Sequence, residues 1–134
     1  PFLCARELTV TKPPLFYALS IVEPSGLRIA EGVKTLEIRS WQPEHLPLEN
    51  LVIVENQNFL HYEGDEEDGY AVAIVDVESV HVWQEHEVKD ACASQWAEGY
   101  FAWVLTNVRT INPCILTTAK RKLYTIELSR LDKL

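Results

Sequence analysis

The organisation of this chain is clearest in the segment ALSIVEPSGLRIAEGVKTLEIRSW, residues 18–41. It begins within a β-rich run, 16–22, that stops at a Glu-Pro pair. Ser25 is then a candidate N-cap for a short helix, and Gly32 is a candidate stop, because glycine readily adopts the left-handed conformation that ends helices. An alternating run over 34–41 predicts another strand. The segment therefore predicts a strand, a short helix and a second strand.

The second of these strands alternates apolar and charged residues. Leu36 and Ile38 have the same parity, so both are expected to face the core. Glu37, Arg39 and Trp41 then line the opposite face. Two interpretations follow from this alternation: an exposed strand with solvated charges, or the wall of a binding site.

Lys34 has the parity of the core residues, although lysine is rarely buried. It can join Glu37 and Arg39 only if the strand begins after it, with Lys34 in the turn that Gly32 permits. The set would then place a cation, a carboxylate and a guanidinium beside the ring of Trp41. Such a set suits a phosphate and a base edge, because arginine binds phosphate bidentately and tryptophan offers a stacking surface.

Four further strands and one further helix are predicted outside this segment. The segment 84–96 is the best remaining helix candidate, and the acidic stretch 62–70 is predicted as a turn. Together the six strands and two short helices favour a mainly β (α+β) fold, a small β-barrel with helices packed at its ends. Apolar or alternating runs that predict the four strands lie at 51–57, 70–83, 99–111 and 122–128.

The composition predicts a single domain over residues 1–134. An apolar content of 47% with 24% charged residues is typical of globular proteins, and a chain of this length can bury its own core. No stretch approaches the roughly 18 consecutive apolar residues that a membrane helix needs, so no membrane partner is expected. The N-terminal residues do not resemble a signal peptide.

The three cysteines, Cys4, Cys92 and Cys114, are far apart and odd in number. They form no CxxC motif and no Cys/His pair with metal spacing, and the four histidines are scattered. Reduced thiols are the ordinary interpretation, which predicts a cytoplasmic location. We therefore expect no metal site. No Gly-rich phosphate loop is visible, so we expect no cofactor, and no Ser/His/Asp arrangement for nucleophilic catalysis is visible either.

The net charge of −8 is unevenly distributed along the chain. Residues 63–98 carry a net charge of −10, whereas residues 107–134 carry +4. A basic face near the C-terminal strand is therefore expected, and the overall charge does not exclude nucleic acid. The acidic segment 63–68 lacks the spaced ligands of a calcium loop, so we interpret it as a solvated hairpin tip or a contact for a protein partner.

A predicted loop before the last strand concentrates cations and hydroxyl groups. Lys120 and Arg121, with Lys122 beside them, would attract phosphates, and Thr117 and Thr118 could donate to a phosphate or to a base edge. In the preceding strand, alternation leaves open whether Trp103 faces the core or the cleft.

The segment 18–41 resembles the opening of the ASCH family, whose name stands for activating signal cointegrator homology. Members of that family share a Gly-x-Lys-x-x-Glu-x-Arg signature, often followed by Ser-Trp. Further on, YFAWVLTNVRTI and NPCILTTAKRKLYTIEL resemble the later strand and the closing segment of the family, so the resemblance covers about residues 17–128. All six signature positions are matched here, by Gly32, Lys34, Glu37, Arg39, Ser40 and Trp41.

The resemblance implies a PUA-like β-barrel with a cleft lined by this signature and by residues near the last two strands. The family is generally regarded as RNA-binding or nucleotide-binding. Some compact members look like amidohydrolases that act on acetylated cytidine with a lysine and a threonine of the signature, and a few relatives are described as ribonucleases. Lys34 matches that lysine, whereas Glu37 stands where the hydrolases have the threonine.

Three hypotheses follow from these observations. The first is a module that binds RNA or a small nucleotide or nucleoside. The second is an enzyme, a hydrolase of a modified nucleoside or a ribonuclease, in which Lys34 and Glu37 would be the catalytic residues. The third is an adaptor that binds a protein through the segment 63–68. The predicted ligand-binding residues are Lys34, Glu37, Arg39, Ser40, Trp41, Trp103, Thr117, Thr118, Lys120 and Arg121.

Overall fold

A computed structural model describes residues 14–128, and in this range the chain is mainly β. Within these described residues there is a single short α-helix, α1 (Ser25–Ala30), and a 3₁₀ turn at Glu85–Glu87. Six strands form one sheet in the order β2-β5-β4-β3-β1-β6. The pair β1–β3 is parallel and the other neighbours are antiparallel. The strands are β1 (Leu15–Val22), β2 (Leu36–Arg39), β3 (Leu48–Asn56), β4 (Glu66–Val82), β5 (Phe101–Lys120) and β6 (Leu123–Glu127).

The prediction of a mainly β chain with six strands is confirmed, but the sheet is not a closed barrel. β2 and β6 lie at the two ends of the strand order and do not pair with each other. Near Lys120, β5 approaches β1 through a side chain, since the backbone N–H of Lys120 donates to Ser20 Oγ at 3.1 Å. The sheet curls enough to bring these strands together without a continuous hydrogen-bond ladder between them.

The curl coincides with irregular pairing in the two longest strands. Register shifts interrupt the β4–β5 ladder at three places, and such bulges bend a strand and increase its twist. A polar cluster stabilises the adjoining part of the sheet: Asp76 accepts hydrogen bonds from Asn50 N–H, from Asn107 Nδ2 and from Arg109 Nη2. Burial raises the pKa of Asp76, but these hydrogen bonds and the charge of Arg109 outweigh burial, so the pKa lies below its ordinary value.

Strand β5 is longer than the predicted strand 99–111 and continues to Lys120. Its C-terminal half pairs with the first residues of β4, which the sequence predicted as part of a turn. The ladder passes from Ala71↔Ile115 to Ala73↔Thr110, so the segment with Pro113 lies in a bulge. A proline has no N–H to donate, and a bulge is one of the few places in a sheet that tolerates it. Residues that are typical of turns therefore predicted turns where the start of β4 and the end of β5 pair as strands.

Helix α1 packs on the sheet at a close approach. The sequence predicted Ser25 as the N-cap of this helix, but Ser25 is its first helical residue. Pro24 occupies the cap position, without a side-chain hydrogen bond. Glu55 replaces the cap, because its Oε2 accepts from the backbone N–H of Leu27 at 2.8 Å. A Cβ on Gly26 would lie 2.8 Å from the Cβ of Glu55, so only glycine allows this packing.

The predicted helix over 84–96 is wrong. Only Glu85–Glu87 is helical, as a 3₁₀ turn, and the remaining residues form turns, bends and irregular backbone. Glu87 pairs with His81 on β4 at 2.8 Å, and the indole N–H of Trp96 donates to the carbonyl of Trp83 at 3.0 Å. These contacts fix an irregular segment against β4, and the positive φ of Cys92 (54°) is incompatible with a continuous α-helix.

Three further sequence predictions concern membrane spans, metal sites and the cysteines. No helix within residues 14–128 is long and apolar enough to cross a membrane. Across the same residues, no group of three or more metal-ligating side chains is brought together. Cys92 and Cys114 are free thiols, whereas Cys4 lies outside the described residues, as do the C-terminal cations Arg130 and Lys133.

Candidate functional site

A cleft of about 750 Å³ opens where several loops meet the ends of β1 and β2. The signature segment (residues 32–41) contributes its floor. The last residue of β5 and the two residues that connect it to β6 contribute one edge, and we call these residues (120–122) the basic turn. The segment after β3 forms another edge. The cleft is lined by Ser20, Ile21, Val22, Ser25, Lys34, Glu37, Ile38, Arg39, Ser40, Trp41, Asn56, Asn58, Phe59, Leu60, Trp83, Ala91, Ala93, Lys120, Arg121 and Lys122.

The floor of the cleft is a chain of three charged side chains. Glu37 is 5% exposed and Lys34 is 6% exposed, although both are charged. Glu37 Oε1 lies 3.4 Å from Lys34 Nζ, and Glu37 Oε2 accepts from Arg39 Nε at 2.8 Å. Lys34 precedes β2, so the structure places it in the turn before the strand, where it reaches the same carboxylate as Arg39.

Further hydrogen bonds fix the two cations in place. Lys34 Nζ donates to the carbonyl of Ala91 at 2.7 Å, and Arg39 Nη2 donates to the carbonyl of Ser20 at 2.9 Å. Each cation thus has a carboxylate partner and a backbone partner, which is how buried charges are ordinarily compensated. The guanidinium of Arg39 is partly exposed, with 22% of its side chain accessible, so it is the member of the set that faces the open cleft.

Two tryptophans form the support beside this floor. The rings of Trp41 and Trp103 meet edge to face with centroids 5.0 Å apart, and Trp103 Nε1 donates to the carbonyl of Trp41 at 3.1 Å. Trp103 is fully buried in the core and does not line the cleft. Its structural role is therefore to position Trp41, whose ring is partly accessible from the cleft.

The basic turn lies above Trp41. Lys122 Nζ is 5.7 Å from the centroid of the Trp41 ring, within the range of a cation–π contact. Lys120 and Arg121 line the same edge of the cleft. Thr117 and Thr118 are on β5 rather than in a loop, and neither lines the cleft.

Sequence reasoning missed the edge that follows β3. Asn56 is 4% exposed and, like Asn58, Phe59 and Leu60, lines the cleft. In the sequence, the only signal was an asparagine at the end of an apolar run. The edge is ordered by Glu67 on β4, 9 to 11 residues further along the chain, and such a side-chain contact has no signature in strand or helix periodicity.

A second groove of about 490 Å³ lies on the other side of the basic turn. There the residues 120–122 and Tyr124 face the acidic tip at Glu63, Asp65 and Glu66. The basic turn therefore has the main cleft on one side and a group of acids on the other. An anionic ligand is favoured on the cleft side, because the acids repel it from the second groove.

Taken together, the cleft offers cationic donors and a partly exposed aromatic ring. Arg39 and the basic turn can bind an anion, and Trp41 with Phe59 can contact a planar group. These are groups for recognition by charge, hydrogen bonding and stacking.

Comparison with known protein families identifies the family of this chain. The family model described as ASCH domain matches residues 19–115, which include the whole signature segment and most of β5. No match was found among curated protein sequences.

Proposed function

Because the chain belongs to the ASCH domain family, we propose that the cleft binds a nucleotide unit of RNA. Arg39 and the basic turn would contact phosphate, while Trp41 would contact the base. The signature residues Lys34 and Glu37 would hold Arg39 in the orientation that binding requires.

The observation that supports this proposal most directly is the buried ion chain at the floor of the cleft. Burying charged groups costs free energy, and a fold keeps them beside an open cavity mainly where they serve a function. Glu37 orients the guanidinium of Arg39 through Nε, and the carbonyl of Ser20 accepts from Nη2. The orientation is thereby fixed before a ligand binds, which lowers the entropic cost of binding.

The base would stack on Trp41 in place of Lys122. The ammonium group of Lys122 now lies over the ring, and a base that takes this position would release the lysine toward the phosphate of the same nucleotide. Trp103 supports the ring from the core, so Trp41 is a rigid surface. Rigid aromatic surfaces bind bases with little dependence on sequence.

The binding proposal fits the geometry better than the hydrolase alternative does. At the position of the hydrolase threonine, both carboxylate oxygens of Glu37 are engaged, one with Lys34 and one with Arg39. Lys34 in turn donates to the carbonyl of Ala91. The carboxylate and the amine thus pair with each other and with the fold rather than being directed at a substrate.

The test is the salt dependence of binding to fluorescein-labelled oligouridylate, followed by anisotropy. The double variant Lys120→Ala/Arg121→Ala removes two cations from the edge of the cleft and breaks no hydrogen bond of either side chain that the structure shows within residues 14–128. We expect weaker binding and a salt slope reduced by about 1.4, since each phosphate contact on a single strand contributes roughly 0.7. Arg28→Ala/Lys89→Ala, which removes two exposed cations outside the cleft, is the matched control.

A second arm of the experiment addresses the floor and the enzyme alternative. Arg39→Met should weaken binding about 10- to 100-fold, the effect of losing a charge-assisted hydrogen bond, with an unfolding curve recorded alongside to confirm the fold. An equal loss of oligouridylate affinity in the control Arg28→Ala/Lys89→Ala, or no binding by the wild type, would overturn the proposal. Release of product from oligouridylate or from acetylcytidine, abolished in Lys34→Ala, would establish the hydrolase instead.

A further inference from the structure

Three aromatic side chains stand exposed next to the cleft, on the segment that we call the aromatic loop (residues 59–62). Phe59 is 73% exposed and Tyr62 is 74% exposed, the two highest values among the large hydrophobic side chains of residues 14–128. His61 lies between them, with its ring centroid 6.1 Å from that of Phe59 and 6.2 Å from that of Tyr62. The three rings thus form a continuous aromatic surface open to solvent.

The aromatic loop is held in place by a carboxylate just after it. Asp65 accepts hydrogen bonds from the backbone N–H of His61 at 3.1 Å and of Tyr62 at 2.9 Å. Both bonds are to the backbone, so the conformation of the loop does not depend on the aromatic side chains.

The residues that lead into the loop are fixed by a second carboxylate. Glu67 accepts from the backbone N–H of Gln57 and of Asn58, and from the side-chain amides of Asn56 and Asn58. The pKa of Glu67 is lowered to about 2, mainly by the hydrogen bonds from the side chain and backbone of Asn58. The amide of Asn56 and the N–H of Gln57 lower it further, whereas burial opposes the shift. The exposed rings are therefore presented on an ordered segment.

The aromatic surface is continuous with the cleft. Phe59 and Leu60 line the cleft, whereas His61 and Tyr62 lie outside it. A ligand that passes from the cleft over Phe59 would next meet His61 and Tyr62. Successive bases of a single nucleic-acid strand can stack on such a row of rings, because each base has a flat face and the strand is flexible enough to follow a curved path.

We propose that the aromatic loop is a second subsite that stacks the bases of single-stranded RNA next to the nucleotide bound in the cleft. This inference rests on the proposed function of the cleft and makes the ligand an oligonucleotide rather than a free nucleoside. The neighbouring acids Glu63 and Glu66 disfavour phosphates at this loop, so the bases contact the rings while the phosphates lie toward the basic turn.

The experiment compares an oligonucleotide with a mononucleotide. The probes are fluorescein-labelled oligouridylate of about eight nucleotides, a length in the range of single-strand sites, and uridine monophosphate. Tyr62→Ala should weaken oligouridylate binding about 5- to 100-fold, the effect of losing one stacked base, and leave uridine monophosphate binding within about twofold. Phe59→Ala should weaken oligouridylate binding to a similar degree. Tyr17→Ala, at a 53% exposed tyrosine on β1 outside the cleft, is the matched control and should have no effect.

The outcomes separate this inference from the function on which it rests. If both probes bind and Tyr62→Ala binds oligouridylate as the wild type does, the aromatic subsite is disproved and the cleft remains. If neither probe binds, both proposals fail. Sedimentation provides a further check: a wild-type dimer that Tyr62→Ala converts to a monomer would assign the aromatic loop to a contact between two copies of the chain, which would overturn its assignment to RNA.

Discussion

Within the floor of the cleft, the carboxylate of Glu37 lies between two cations, 3.4 Å from Lys34 Nζ and 2.8 Å from Arg39 Nε. Without it, the two cations would share a poorly solvated space with only backbone carbonyls as partners. An uncompensated buried charge is among the most destabilising single changes in a protein. The fold of this region therefore depends on Glu37 as much as the orientation of Arg39 does.

Glu37→Ala should lower the free energy of unfolding by about 3–5 kcal/mol, because it leaves Lys34 and Arg39 without their shared carboxylate. Urea unfolding followed by tryptophan fluorescence measures the change. The matched control is Glu31→Ala, at an exposed glutamate for which the structure shows no ion pair within residues 14–128, and it should change the free energy by less than about 0.5 kcal/mol. A loss below about 1 kcal/mol in Glu37→Ala would show that water already compensates the cations.

Among the elements, the start of β4 has an effect beyond its own strand. The hairpin that leads into it was predicted as a solvated acidic tip, but two of its acids bind the preceding chain. Asp65 holds the aromatic loop and Glu67 holds the segment 56–58, which lines the cleft. These carboxylates therefore order one edge of the site, whereas Glu63, Glu66 and Asp68 remain exposed.

The contribution of Glu67 should be visible in the pH dependence of stability. Its pKa is about 2 in the folded protein against an ordinary 4.5. Since the folded-state pKa is the lower one, the stabilisation is complete above about pH 4.5 and is lost as the pH falls toward 2. Glu67→Gln should therefore be less stable than the wild type at pH 5 to 7, and the difference should diminish as the pH falls from 4.5 to 2.

Urea unfolding of both proteins across this pH range tests the expectation. Glu66→Gln, at the exposed neighbouring residue, is the control and should parallel the wild type at every pH. A difference between Glu67→Gln and the wild type that stays constant from pH 5 to 2 would mean that the hydrogen bonds of Glu67 do not depend on its charge.

For the molecule as a whole, opposite charges meet at the basic turn. The net charge of −8 would disfavour RNA, yet the cations of residues 120–122 lie on the edge of the cleft, and the acids that face them line a separate groove. The field near the cleft is therefore set by a local balance between the basic turn and the acidic tip rather than by the total charge.

Removing two of these acids should accelerate RNA binding. Glu63→Gln/Glu66→Gln should raise the association rate for oligouridylate about 2- to 10-fold at low salt, since both glutamates are exposed and repel the approaching strand. Stopped-flow anisotropy at several salt concentrations measures the effect, which should vanish at high salt through screening. Glu31→Gln/Glu78→Gln makes the same change in net charge outside both grooves and serves as the control. An equal acceleration in both double variants would assign the effect to total charge.

Much of the first half of the fold could be predicted from local pattern. The strand, short helix and strand of residues 15–39 were correct in order and type, because alternation and the Pro and Gly boundaries are local properties. The grouping of Lys34 with Glu37 and Arg39 also followed from strand parity and a turn. The binding role of these residues stays a prediction.

The second half could not be predicted in the same way. The segment around Pro113 has the composition of a loop but continues β5, because the start of β4 pairs with it. Thr117 and Thr118 consequently lie on a strand away from the cleft, and the fully buried Trp103 supports Trp41 instead of reaching the cleft. The open sheet follows from the same long strands, whose bulges curl the sheet without closing it.

The sequence alone therefore determined which residues alternate on a strand, where the first helix lies, and that the signature segment belongs to the ASCH family. Only the tertiary structure decided which edges meet at the cleft: the basic turn, the segment ordered by Glu67, and the ring of Trp41 supported by Trp103. The physical reason is distance along the chain. Periodicity is encoded between neighbouring residues, whereas strand pairing and buried polar contacts join residues far apart, and their free energy depends on the whole packed molecule.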